Sequence, residues 1–139
     1  MIRPKLLTGL CFAGMMSLAI GLNLLPVFLV SIRDTFGGSA GLTGEELGRL
    51  GGLAFFGLVM GILLTGPLAD RMGAKLFAVG GNILTVAGLA GMALAPSYST
   101  LLWAMFTVGL GAGMLDMILS PIVAAVNAHA RSGAMNWLH

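Results

Sequence analysis

Charged residues cut this chain into long apolar stretches. No charge interrupts residues 6–32, 50–69 or 76–115, while Asp70, Arg71 and Lys75 crowd together between the last two. Such runs match the roughly 20 apolar residues a helix needs to cross a bilayer. The stretch after Lys75 is too long for one crossing. It divides at Ala95-Pro96-Ser97-Tyr98-Ser99, where Pro96 disfavours helix continuation. Four spans follow, at about residues 6–32, 48–69, 76–95 and 100–125. The polar, glycine-rich connection 33–47 ends in Thr43-Gly44-Glu45-Glu46, a capping-box spacing that would start the second span. The fold class is an all-α membrane protein.

Small residues mark the faces that pack. Gly57, Gly61 and Thr65 lie four apart on the second span, and Gly81, Thr85 and Gly88 form a similar stripe on the third. Such stripes let a neighbouring helix backbone approach closely. The first span carries Gly14, Ser17 and Gly21 on one face, then Pro26. Proline removes the donor for the carbonyl of Leu22, which predicts a kink near Asn23.

Composition agrees with the pattern. The chain is 58% hydrophobic and 9% charged, against about a quarter charged in soluble domains. Net charge is +2 with no basic cluster, so no nucleic-acid footprint is present. Cys11 is the single cysteine, which leaves no disulfide framework and no Cys/His metal set, and no cofactor motif replaces them. Arg3 and Lys5 precede an apolar run too long for a signal-peptide h-region of roughly 7–15 residues. Alternating faces put Arg3, Lys5, Arg71, Lys75 and Arg131 on one side and Arg33 and Arg49 on the other. The positive-inside tendency then places the N-terminus and the 70–75 loop in the cytoplasm.

Asp116 is the one ionisable residue inside a span. An acid at that depth is costly and usually faces a cavity or a partner. Gly109, Gly113, Asp116 and Ser120 share one helix face, which predicts that Asp116 points into the bundle. Two readings stay open: a proton-binding or substrate-contacting carboxylate, or a structural acid hydrogen-bonded to a neighbouring helix. Asn23 is a weaker site candidate beside Pro26, because a lone membrane Asn is more often helix glue, and Asn82 is weaker still.

The segment Gly66-Pro67-Leu68-Ala69-Asp70-Arg71-Met72-Gly73-Ala74-Lys75 resembles motif A of the major facilitator superfamily, Gly-x-Leu-x-Asp-Arg-x-Gly-Arg-Lys. Gly66, Leu68, Asp70, Arg71, Gly73 and Lys75 match, and Ala74 replaces the second basic residue. The resemblance implies a loop that latches against a second half of the transporter. By position, Asp70 would also cap a helix N-terminus. The run Leu115-Asp116-Met117-Ile118-Leu119-Ser120-Pro121-Ile122-Val123 looks like the fourth helix of fucose-permease-like facilitators, which carry Leu-Glu and then Asn-Pro. That resemblance gives Asp116 a proton-coupling role and matches Ser120 and Pro121 to the Asn-Pro pair. Leu24-Leu25-Pro26 is also similar, but Leu22 and Asn23 stand where the family has an aspartate. Met105 replaces an arginine that many facilitators carry.

The resemblance implies a proton-coupled transporter of a sugar or related small solute, working by alternating access in a bilayer such as a bacterial inner membrane. Such proteins have twelve helices in two six-helix halves. The chain would then supply four spans and, at residues 132–139, the start of a fifth from the N-terminal half, with the remaining C-terminal helices as its missing partners. His129 and Arg131 would be interfacial anchors. Two other readings are a self-contained four-helix dimeric exporter and a non-transporting membrane fragment or assembly subunit. An enzyme is not indicated: there is no Ser/His/Asp set, and Gly109-Leu110-Gly111-Ala112-Gly113 lies inside an apolar span with no strand before it.

Overall fold

The computed structural model describes residues 4–126, with side chains from Leu6 onward. It contains helices α1 (Pro4–Val27), α2 (Leu29–Phe36), α3 (Gly44–Met72), α4 (Ala74–Ala93) and α5 (Tyr98–Val126), with a 3-10 turn at Gly38–Ala40 between α2 and α3. Helices α1, α3, α4 and α5 are each long and apolar enough to cross a membrane. The expected entry to a fifth span, and the proposed anchors His129 and Arg131, lie outside the described residues.

Two expected boundaries move. The first span is not one helix to residue 32. It pauses at Phe28 (φ −100°, ψ 13°) and resumes as α2. The amide of Phe28 still donates to the Leu24 carbonyl at 3.0 Å, and that of Ile32 to the Phe28 carbonyl at 2.9 Å. The chain therefore breaks two residues after Pro26, and Asn23, where a kink is expected, lies inside the continuous helix α1. Pro26 sits so close to the end of α1 that its missing donor falls where the helix is already finishing.

The second boundary lies at the charged segment. Helix α3 runs through Pro67 to Met72 and α4 begins at Ala74, so the expected loop shrinks to Gly73. Gly73 adopts φ +90°, a conformation favouring glycine, and its amide closes α3 by donating to the Ala69 carbonyl at 2.9 Å. At the other end of α3 the capping box forms as the sequence predicts. Thr43 Oγ1 accepts from the Glu46 amide at 3.2 Å, and Glu46 Oε2 accepts from the Thr43 amide at 2.8 Å.

Helix α5 is the centre of the bundle. Half of its apolar window is buried (50%), against 28% for α1 and 22% each for α3 and α4. The small-residue stripes explain why α3 and α4 flank it. Gly57, Gly61 and Thr65 of α3 are buried, as are Gly81, Thr85 and Gly88 of α4. A Cβ on Gly57 would collide with the Phe106 carbonyl oxygen, and one on Gly61 would lie 2.5 Å from that of Leu110. On the opposite side of α5, a Cβ on Gly111 would lie 2.6 Å from the Gly81 carbonyl oxygen. Helix α1 packs on α5 differently, through a side-chain cluster of Cys11, Met15, Leu115, Leu119 and Val123. Ser17 Oγ also donates to Asn82 Oδ1 of α4 at 3.1 Å, and Asn82 Nδ2 to the Ala78 carbonyl at 2.9 Å. That makes Asn82 interhelical glue.

Candidate functional site

The site is built on α5. Gly109 and Gly113 press backbone to backbone on α3: a Cβ on Gly109 would strike the Ala54 carbonyl, and one on Gly113 the Leu58 carbonyl. Asp116 and Ser120 continue that row toward the end of the bundle holding Gly73, and both are half-buried. On one side of Asp116, Leu115 is fully buried in the cluster shared with α1. On its other side, Met117 is partly exposed and reaches Gly66 of α3. Asp116 therefore sits where the face of α5 that meets α1 passes into the face that meets α3. Among the described residues the ion pair that forms joins Arg49 and Glu45 at 2.6 Å, at the far end of α3.

Asn23 does not join this group. Its Nδ2 donates to the Ala19 carbonyl at 2.8 Å on its own exposed face of α1. The Gly21 Cα faces Val108 and the Gly14 Cα faces Leu119, so α1 and α5 run antiparallel. Asn23 is thus level with or beyond Val108, about 12 Å along the axis from Asp116 at 1.5 Å per residue.

The motif residues gather at the end holding Gly73. Gly66 is half-buried against Met117, while Leu68, Asp70, Arg71, Gly73 and Lys75 are exposed. Asp70 lies in the last turn of α3, and α4 starts from Gly73 without a side-chain cap, so Asp70 does not cap a helix N-terminus as the sequence suggested. Its place is instead beside a notch of about 210 Å³, lined on α5 by Met117, Ile118, Pro121 and Ile122 and on the other side by Gly66, Ala69 and Ala74. Pro121 has no amide, so the Met117 carbonyl beside that notch lacks its usual helical donor.

Sequence reasoning noted Thr65 only as a small residue in a stripe. It is 1% exposed, and its Oγ1 has no hydrogen-bond partner. Nothing in the sequence separates it from Thr85, whose Oγ1 donates to the Gly81 carbonyl at 2.9 Å.

Three apolar helices packed on a glycine-rich central one, with a half-buried carboxylate on it, are the architecture of a polytopic membrane protein. A family model, "Major Facilitator Superfamily", matches residues 10–139, and the chain belongs to that family. It is similar to the multidrug resistance protein MdtH of Aeromonas hydrophila, 39% identical over 111 residues, covering 78% of this chain and 27% of that protein. It is also similar to the niacin transporter NiaP of Acinetobacter baylyi, 33% identical over 91 residues, covering 65% of this chain and 21% of the relative. The chain thus spans about a fifth to a quarter of the length of these curated relatives. No solved structure matches. The relatives support membrane transport without pointing to the fucose-permease branch.

Proposed function

We propose that this chain contributes the first four spans of a secondary transporter that moves a small organic solute by alternating access, with a proton carried at Asp116. The observation that carries this reading is the carboxylate itself. It is half-buried in the central helix, within a segment matched to the family, and no ion pair to it forms among the described residues. A charge at that depth is retained in a membrane helix chiefly where it faces a cavity or a partner. Proton binding there biases inward- against outward-facing states whenever the two hold the proton with different affinity. Asp70, Arg71 and Lys75 serve as the latch against further helices of the same transporter. The N-terminus and Gly73 lie on the cytoplasmic side of a bacterial inner membrane.

The solute class follows from what the helices offer. Asp116 and Ser120 supply few polar groups on a face otherwise made of glycine and apolar side chains. An amphipathic organic solute, such as the substrates named for the relatives, fits that better than a sugar, which needs a hydrogen-bond partner for each hydroxyl. The sugar reading rests on the run Leu115 to Val123. Counterflow in proteoliposomes with nicotinate, a lipophilic cation and a hexose separates the two readings.

Asp116→Asn mimics the protonated carboxyl and keeps its shape. In the transporter that contains this chain, it abolishes accumulation against a gradient and leaves solute counterflow within about twofold of wild type. Accumulation by the variant at wild-type levels would make Asp116 a structural acid.

A further inference from the structure

We propose that the cleft between α2 and α4, at the end of the bundle opposite Gly73, binds an uncharged, ring-containing organic molecule whose polar head is held by the hydroxyls of Ser31 and Thr35. The cleft measures about 300 Å³. Small-molecule sites begin at about that volume, and a cavity of about 150 Å³ takes benzene, so one or two rings fit. The cleft follows from the break at Phe28. The pause there starts α2 as a separate element, and Ile32 anchors it in a buried cluster with Leu50 and Ala54 of α3 and Leu101 and Met105 of α5. Held in this way, α2 stands apart from the last turns of α4, with Leu101 as the floor between them.

The lining sets the chemistry of the occupant. Helix α2 turns Phe28, Ser31, Ile32, Thr35 and Phe36 to the cleft, one stripe at i, i+3, i+4, i+7 and i+8. Across from it, α4 offers Leu89 and Met92. An apolar wall carrying a few polar groups is the usual make-up of a small-molecule site, where the polar groups fix orientation. The two hydroxyls are exposed and available. Ser17, Thr85 and Thr107 turn theirs back onto carbonyls of their own helices, at 2.7, 2.9 and 2.8 Å. No such bond forms at Ser31 or Thr35. No charged side chain lines the cleft, since Arg33 turns to the other side of α2, against Gly41. A charged ligand would lose its hydration there without gaining a counter-ion, which selects a neutral head such as an alcohol or a ketone. Leu101 precedes Asp116 by fifteen residues, about 22 Å along α5, so this site is separate from the carboxylate and does not depend on proton coupling.

The test is photolabelling of the transporter that contains this chain, purified in lipid, with 4-(hydroxymethyl)benzophenone, a neutral two-ring alcohol. Peptide mapping should find saturable labelling at Leu24–Phe36 and Leu89–Leu101. The charged analogue 4-benzoylbenzoate should compete poorly. Ser31→Ala combined with Thr35→Val should raise the half-saturating concentration about tenfold, the scale of two hydrogen bonds exchanged against water. Ala93→Phe adds bulk to the cleft from an exposed position at the end of α4 and should abolish the labelling with Tm unchanged. Asp116→Asn should leave the labelling as it is, whatever it does to transport. Labelling that does not saturate and spreads over lipid-facing residues such as Val30 and Val79 would overturn the site, showing only partition into the bilayer. Saturable labelling that is indifferent to both the double variant and Ala93→Phe would overturn it equally.

Discussion

Helix α5 meets its neighbours in two different ways, and the contrast shows how one sequence builds both a rigid seam and a forgiving one. Against α3, backbone meets backbone: Gly109 and Gly113 lie on the carbonyls of Ala54 and Leu58, and Gly57 and Gly61 on those of Phe106 and Leu110. Against α1, contact runs through the ends of side chains, and a Cβ on Gly14 would come closest to Leu119 Cδ1, at 2.7 Å, with the Asn82 Nδ2 next at 3.9 Å. In lipid, helices gain little from hiding apolar surface from one another, so close packing is what holds them. The α3–α5 seam has that packing and nothing in it that can move aside. The α1 contact has flexible Leu and Met side chains that can.

The same substitution placed in each seam breaks or sharpens this contrast. Gly109→Ala drives a methyl into a carbonyl that two helices hold in place. The expected loss is at least about 3 kcal/mol, seen as failure to recover folded protein in detergent or a collapse of Tm. Gly14→Ala asks only Leu119 to rotate. An off-rotamer side chain costs about 1 kcal/mol, and alanine returns a similar amount as the better helix former, so stability should stay within about 1 kcal/mol of wild type. If the two variants melt alike, the distinction between the seams is wrong.

Smaller effects come from the far end of α3, where the seam is prepared rather than formed. Thr43→Ala removes one half of the capping box and should lower stability by about 1 kcal/mol, measured by thermal unfolding in lipid. Arg49→Ala breaks the pair with Glu45, whose side chains are 63% and 74% exposed, and should change Tm by less than the error of the measurement. A larger loss at Arg49 than at Thr43 would show that this end of the helix is held by charge.

Much of this architecture was legible in the sequence. Charges and the Pro96 turn delimit the spans, the Thr43–Glu46 spacing announces the start of α3, and the stripes Gly57, Gly61, Thr65 and Gly81, Thr85, Gly88 name the faces that pack. The break at Phe28 was not legible, because it falls inside a stretch of apolar residues that carries no local signal. Asp70 was misjudged for a simple reason. Its neighbours read as a loop, whereas α3 stays helical to Met72, since a charge at a helix end already reaches water. Asp116 could be placed on a face by periodicity, but Asn23 could not be placed along the membrane normal, which depends on how α1 slides against α5. Thr65 was least visible: in sequence it and Thr85 occupy equivalent positions, and only the hydrogen bonds tell them apart.

Gly73 alone joins α3 to α4, and this shapes how the protein enters a membrane. One residue cannot cross the bilayer, nor can it let one helix wait in water while the other sits in lipid. The two helices must pass into the bilayer as a hairpin, bent at Gly73, with Asp70, Arg71 and Lys75 held at the surface around the bend.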